Sequence, residues 1–165
     1  MAKYSDDENL AFKLAYKLLG LRLRSVFEME RKLEEKNFDR EMVARVIKKL
    51  KKQKYLDDEK FAEAWILDRI SLQPRGRFII NRELKEKKIA SEIIERKMSE
   101  LLPFEKELEM AERLFDKKIK IIKTGSGELL KEKIYQKMAG FLRGKGFGRE
   151  IIRKILEERM KNNLN

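Results

Sequence analysis

Residues 33–43 read LEEKNFDREMV, and the same skeleton returns at 84–94 as LKEKKIASEII and at 142–152 as LRGKGFGREII. In each, a leucine (Leu33, Leu84, Leu142) is followed five positions on by an aromatic residue or isoleucine (Phe38, Ile89, Phe147). An apolar pair (Met42-Val43, Ile93-Ile94, Ile151-Ile152) then comes four and five positions later. The internal spacings are identical, although the copies lie 51 and 58 residues apart. Self-similarity of this kind marks a repeat protein, whose units cover part of their apolar faces with one another. The flanks keep the offset: Met29, Ile80 and Met138 correspond, as do Lys36, Lys87 and Lys145, and Glu41, Glu92 and Glu150. The leucine is expected to close one amphipathic helix, a short turn to follow, and the apolar pair to lie on the buried stripe of the next helix. The turn residue ahead of the anchor is Asn37, Lys88 or Gly146. Asn and Gly tolerate a left-handed helix end and Lys does so poorly, so the middle turn is the one the sequence specifies least.

Working outward, Glu8 to about Arg22 places Leu10, Leu14, Leu18 and Leu21 on one helical stripe, widened by Phe12, Ala15 and Leu19, with acidic residues at its start. Ser25 and Glu28 form a capping box for a second helix, and Asp39 is an N-cap for a third that turns Met42, Val43, Val46, Ile47 and Leu50 inward. Asp57 or Asp58 caps a fourth helix bearing Phe61, Ala62, Trp65, Ile66 and Ile70; capping accounts for this Asp pair better than a metal or acid–base role, and Trp65 reads as a core anchor. Pro74 suits the first turn of a fifth helix carrying Ile79, Ile80 and Leu84. A sixth runs from about Ala90 to Leu101, and a seventh begins near Phe104. Lys117 to Lys123 alternates Ile and Lys, compatible with helix or an extended piece, and Thr124-Gly125-Ser126-Gly127 is the clearest flexible stretch. Two last helices are expected over about Glu128–Arg143 and Arg149–Lys161. Gly140, Gly144, Gly146 and Gly148 do not match the spacing of a nucleotide-binding loop and are read as ending one helix and starting the next. The fold class is therefore all-α: three tandem three-helix, helix-turn-helix-like repeats over residues 1–54, 55–103 and 104–165.

Composition narrows the chemistry. With no Cys and no His, disulfides, thiolate nucleophiles, imidazole bases and the usual zinc ligands are all excluded. No cluster of the D-x-D type stands out, so no metal, cofactor or enzymatic role is expected. No apolar run approaches the roughly 18 residues of a membrane span and no leader precedes one, so a soluble cytoplasmic monomer is expected. The net charge is +12, and it is spread: 15 Lys and Arg against 11 Asp and Glu over residues 1–58, 10 against 8 over 59–103, and 16 against 10 over 104–165. A basic body of this kind suits a polyanionic partner.

Specific residues then suggest a family. Tyr55-Leu56-Asp57-Asp58, Phe61-Ala62, Arg69, Gly76, Ile79, Glu83-Leu84, Lys87 and Ile89 resemble the central signature of the bacterial RecX regulatory proteins. Arg24-Ser25 with Leu33 and Phe38 resembles that family's first repeat, and Leu142, Lys145-Gly146-Phe147 and Ile151-Ile152 its third. The likeness covers about Leu10 to Met160, with departures at Lys88, where the family often has glycine, and at Gly125–Gly127. The resemblance implies an elongated, curved body of three modules that lies in the groove of the RecA recombinase filament on DNA and restrains filament growth, ATP hydrolysis and strand exchange.

A modular basic rod can meet several subunits of such a filament, together with the phosphate backbone of single- or double-stranded DNA, through many weak contacts. The expected contact face is Arg69, Arg75, Arg77, Arg82, Lys85 and Lys87 of the middle module, with Arg22 and Arg24 on one side and Arg143, Lys145 and Arg149 on the other. The alternative is a stand-alone helical DNA-binding protein without a recombinase partner, although the second helices carry no base-reading cluster of Asn, Gln and Arg. A scaffold that binds only protein is a third reading.

Overall fold

A computed structural model of the chain describes residues 6–122 and 128–162. They form α1 (Asp6–Leu21), α2 (Val26–Glu34), α3 (Arg40–Lys52), α4 (Asp58–Ser71), α5 (Arg77–Glu86), α6 (Ser91–Leu101), α7 (Phe104–Ile119), α8 (Glu128–Gly144) and α9 (Arg149–Asn162). Local chemistry sets the starts. Ser25 Oγ accepts the Glu28 N–H at 3.1 Å while the Glu28 carboxylate accepts the Ser25 N–H at 3.4 Å, the reciprocal capping box of α2. Asp39 accepts from Met42 N–H at 2.9 Å at the head of α3, and Asp57 from Glu59 and Lys60 N–H at 3.0 and 3.1 Å at the head of α4.

The three repeated turns share one geometry. Asn37, Lys88 and Gly146 all adopt positive φ, at 63°, 57° and 88°. In each the following residue donates its N–H back to the leucine carbonyl: Phe38 to Leu33 at 3.4 Å, Ile89 to Leu84 at 3.1 Å, Phe147 to Leu142 at 3.2 Å. This is the six-residue closure of a helix C-terminus, with the flanking apolar pair packed across it. Leu33, Leu84 and Leu142 are fully buried. Lys88 thus takes the left-handed turn despite its side chain, because the buried Leu84 and Ile89 on either side leave the backbone no other path. A fourth turn of the same kind, with Lys54 at φ 59° and Tyr55 N–H on the Leu50 carbonyl at 2.9 Å, closes α3.

Helix pairs in extensive contact all lie within one module: α1–α3, α4–α6 and α7–α9. The apolar interior nevertheless has two parts, not three. One joins Ala11, Phe12, Ala15, Met29, Leu33, Val43, Val46, Leu50 and Leu56. The other is continuous through the remaining two modules, from Phe61 and Ile66 through Leu84, Leu102 and Phe115 to Leu142 and Ile155. Contacts between modules run from the first to the second and from the second to the third, so the described residues follow one another as a row of modules.

Several local expectations are corrected. The buried face of α1 is Glu8, Ala11, Phe12 and Ala15, whereas Leu10 and Leu21 are exposed and Leu14, Leu18 and Leu19 only partly covered. Alanines of zero exposure let α1 approach its neighbours closely, which rotates the leucines to the margins of the contact. Pro74 lies ahead of α5, whose N-cap is Gly76, and Gly140 sits within α8, while Gly144 ends that helix and Gly148 follows the turn made at Gly146. Trp65 and Ile93 are partly buried against the core, and residues 120–122 leave the helix as a turn. The flexible stretch expected at Thr124–Gly127 lies outside the described residues.

Replacing Lys88 by glycine relieves its left-handed backbone, so Lys88→Gly is expected to raise the unfolding free energy by about 0.5–1 kcal/mol. A higher urea midpoint at unchanged slope is the readout.

Candidate partner-binding surface

The modules meet through a device that appears twice. The first N–H of α2, on Val26, donates to Asp58 Oδ1 at 2.9 Å, and the first N–H of α5, on Arg77, donates to Glu107 Oε1 at 2.8 Å. In both cases a carboxylate from the first helix of the next module caps the second helix of the module before it, which satisfies an orphan donor and complements the helix dipole. Glu107 is fully buried, and Arg77 Nε closes on it at 2.6 Å while Arg77 Nη2 donates to the Leu102 carbonyl at 3.0 Å. Beside this pair the backbone of the two modules touches. Gly76 N–H donates to the Lys145 carbonyl at 2.8 Å and Phe78 N–H to the Gly146 carbonyl at 3.2 Å. Any Cβ on Gly76 would overlap the Gly146 carbonyl, so glycine is required there for close approach.

The first junction adds an ionic knot. Lys87 reaches Glu28 at 2.7 Å and Arg22 reaches the same carboxylate at 2.9 Å. Lys87 Nζ also lies over the Trp65 ring at 4.4 Å, and Arg69 lies over the same ring at 4.4 Å. Trp65 Nε1 and Arg69 Nε both donate to Glu83, at 2.7 and 2.8 Å. Burial pushes the Glu28 carboxyl up, but hydrogen bonds and charge attraction from Arg22 and Lys87 outweigh it and hold the group at about 2.

On this frame the eleven expected cations fall into three groups. Arg69, Arg77 and Lys87 are tied into ion pairs within the molecule, and Arg22 shares Glu28. Arg24 is half-buried, with Nε 3.4 Å from the Leu18 carbonyl. Arg82, Lys85, Arg143 and Arg149 are exposed, and Arg75 and Lys145 are half-buried at the second junction. Two grooves collect several of these. One of about 760 Å³ is lined by Arg77, Phe78, Asn81, Arg82, Lys85 and Lys88 with Glu86 and Glu95; another of about 230 Å³ is lined by Arg22, Arg24, Phe27, Arg31, Lys32 and Lys87 with Glu28, Glu35 and Glu86. Glu86 lines both, so the grooves adjoin across the first junction, and Lys88 Nζ lies 5.9 Å from the Phe27 ring of the other side. Their walls carry more cations than carboxylates. Lys88, Arg31, Lys32, Phe27 and Phe78 escaped sequence reasoning. Arg31 and Lys32 pair with Glu35 on their own helix, which is indistinguishable in sequence from a solvated face. Lys88 was read only for its backbone. Phe78, 65% exposed, carries a signal that periodicity contains: it stands off the stripe of Ile80 and Leu84. Among the described residues no group of carboxylates could hold a metal ion, and no helix is long and apolar enough to cross a membrane.

Comparison with known proteins follows the same three units. Models of the RecX first, second and third three-helix domains match residues 11–50, 57–98 and 105–156 in order. A protein named Regulatory protein RecX from Finegoldia magna is 34% identical over 146 residues, covering 88% of this chain and 69% of that one. Its namesake from Oceanobacillus iheyensis is 31% identical over 153 residues, 93% of this chain, and the chain spans only 54% of that relative's length, as it does for several others at 55–57%. The crystal structure of RecX from Lactobacillus salivarius superposes with a TM-score of 0.79 at 25% identity, over 94% of this chain and 97% of that one. A second crystal structure of a regulatory protein RecX gives 0.80 at 24% identity, over 92% and 74%, which speaks to the fold alone.

The Glu28 knot has a pH signature. Its carboxyl ionises more readily folded than unfolded, so its stabilisation is present above the ordinary carboxylate value near 4.5 and is lost as pH falls toward about 2. Asp58 and Glu30 are shifted the other way, chiefly by burial, and oppose it. Glu28→Gln is expected to cost about 1–2 kcal/mol at neutral pH, after allowance for solvent screening, and to flatten the fall in stability below pH 4.5. Urea unfolding at a series of pH values measures both; a parallel pH profile in the variant would remove the knot's role.

Proposed function

The chain belongs to the RecX family of regulatory proteins, and from that premise we propose that it binds the RecA recombinase filament on DNA and inhibits filament extension, ATP hydrolysis and strand exchange. It acts as a cytoplasmic monomer and by occupancy, without catalysis of its own. The observation that carries this reading is the pair of adjoining cationic grooves at the first junction, set in a row of modules. A filament repeats acidic protein surface and phosphate along its groove. A rigid row whose cations recur from module to module gains avidity from several weak contacts at once, and a body lying there blocks the movements by which subunits add and turn over.

The contact residues follow from exposure. Arg82 and Lys85 on α5 are free to engage a partner: Lys85 is exposed, and Arg82, 69% exposed, has only a loose pair with Glu86 at 3.8 Å. Lys88, Arg31 and Lys32 extend the face, and Arg143 and Arg149 supply exposed charge in the third module. Arg77 and Lys87 contribute chiefly by holding the modules in register, and Arg69 by fastening α4 to α5 within the second module, so their replacement confounds binding with folding.

ATP turnover by a RecA recombinase on single-stranded DNA is expected to fall as this protein is added, and undiminished turnover at saturating protein would overturn the proposal. Arg82→Glu with Lys85→Glu should require about tenfold more protein for the same inhibition, a loss near 1.4 kcal/mol, with an unchanged circular dichroism spectrum.

A further inference from the structure

The two junctions share a plan and differ by one charge. The repeat offsets bring Arg24 onto Arg75, Glu28 onto Ile79 and Lys87 onto Lys145. At the first junction Arg22, Arg24 and Lys87 gather about the carboxylate of Glu28. At the second, Arg75 and Lys145 are joined by Lys118 from α7, but Glu28's counterpart is Ile79, which packs against Gly146. The Lys118 and Lys145 ammonium groups lie 5.6 and 5.7 Å from the centre of one ring, that of Phe141. Arg75 immediately precedes Gly76, whose N–H donates to the Lys145 carbonyl, so the chain of the second module meets that of the third at this point.

None of these three cations has an ion-pair partner among the described residues. Burial, followed by Arg75 and then Lys118, lowers the pKa of the Lys145 ammonium. Half-buried like charges from two modules repel unless something negative joins them; the ring face compensates only in part. The cationic cluster of the first junction carries its own anion, Glu28. At the second junction the buried Glu107 is taken by Arg77, and the cluster of Arg75, Lys118 and Lys145 has no carboxylate of its own among the described residues.

We propose that Arg75, Lys118 and Lys145 form a phosphate-binding site, and that its ligand is a phosphodiester of a nucleic-acid strand. Three cations from three segments suit a group with several charged oxygens, and the arginine fork can take two of them at once. Occupancy cancels the repulsion between Arg75 of the second module and Lys145 of the third, so a bound strand also fastens the junction. The strand as ligand rests on the function proposed above; the phosphate site does not.

The test uses the whole chain with no recombinase present. Fluorescence anisotropy with a labelled oligothymidylate of about a dozen nucleotides is followed across about 50–200 mM salt. Arg75→Gln with Lys145→Gln is expected to weaken binding about tenfold and to reduce the slope of log affinity against log salt by about 1. In parallel, inorganic phosphate at matched ionic strength should raise the melting temperature of the wild type by about 2–4 °C and leave that of the variant unmoved. Should the double variant fold poorly, Lys118→Gln, a change near the end of α7, is expected to show the same effects at smaller size. Unchanged affinity and slope in variants with wild-type circular dichroism, together with no phosphate shift, would overturn the site. A phosphate shift without loss of strand affinity upholds the site and overturns the strand as its ligand. Failure of inhibition in the turnover assay would strike the earlier proposal alone, since no recombinase takes part in this one.

Discussion

The first turn of a helix exposes backbone N–H groups that no earlier turn can accept, and the arrangement of this chain rests on where two of them go. Val26 donates to Asp58 and Arg77 to Glu107, each acceptor standing on the first helix of the following module. Hydrogen bonds are directional, so each sets not merely the proximity of two modules but the angle at which the second leaves the first. Burial sharpens the constraint at Glu107. A carboxylate with no exposure is tolerable only while Arg77 supplies both its N–H and its guanidinium, because removing one partner of such a pair leaves an uncompensated buried charge.

Around that shared device the junctions diverge. Between the second and third modules the apolar interior is continuous, and Gly76 and Gly146 bring the two backbones into contact. Between the first and second the interiors are separate, and the union is made by Asp58 on the Val26 N–H and by Lys87 on Glu28, a carboxylate that Arg22 of the first module also holds. Apolar burial is insensitive to salt and nearly so to pH, whereas charge pairs respond to both. The molecule is thus a fused pair of modules with a third attached ionically, and its first junction is the one that solution conditions, or a competing anion, can loosen.

Cations do two jobs in this architecture. Lys87 lines the smaller groove while clamping Glu28, and Arg77 lines the larger while clamping Glu107. A basic surface built on such residues is rigid, since side chains already paired within the molecule lose little freedom when a partner arrives. The exposed Arg82, Lys85 and Lys88 around them are the adaptable part. The stacked arrangement of Arg69, Trp65 and Lys87 ties α4 to Lys87, which lines the smaller groove.

By itself the sequence determined the three-module plan, the turn positions and most helix starts, because these depend on neighbours within a few residues: the spacing from Leu33 to Val43, the capping box of Ser25 and Glu28, the caps Asp39 and Asp57. Even the doubtful turn at Lys88 obeyed its repeat, since Leu84 and Ile89 bury in the same way as their counterparts. Orientation within α1 was misread because leucines outweigh alanines in any hydrophobic pattern, yet close packing against neighbouring helices selects the small residues Ala11 and Ala15. Which cations hold the fold and which face outward was decided only by tertiary structure. Lys87 finds Glu28 across 59 positions and Arg77 finds Glu107 across 30, and pairs at that range exist only once hydrogen bonds between modules have set their register.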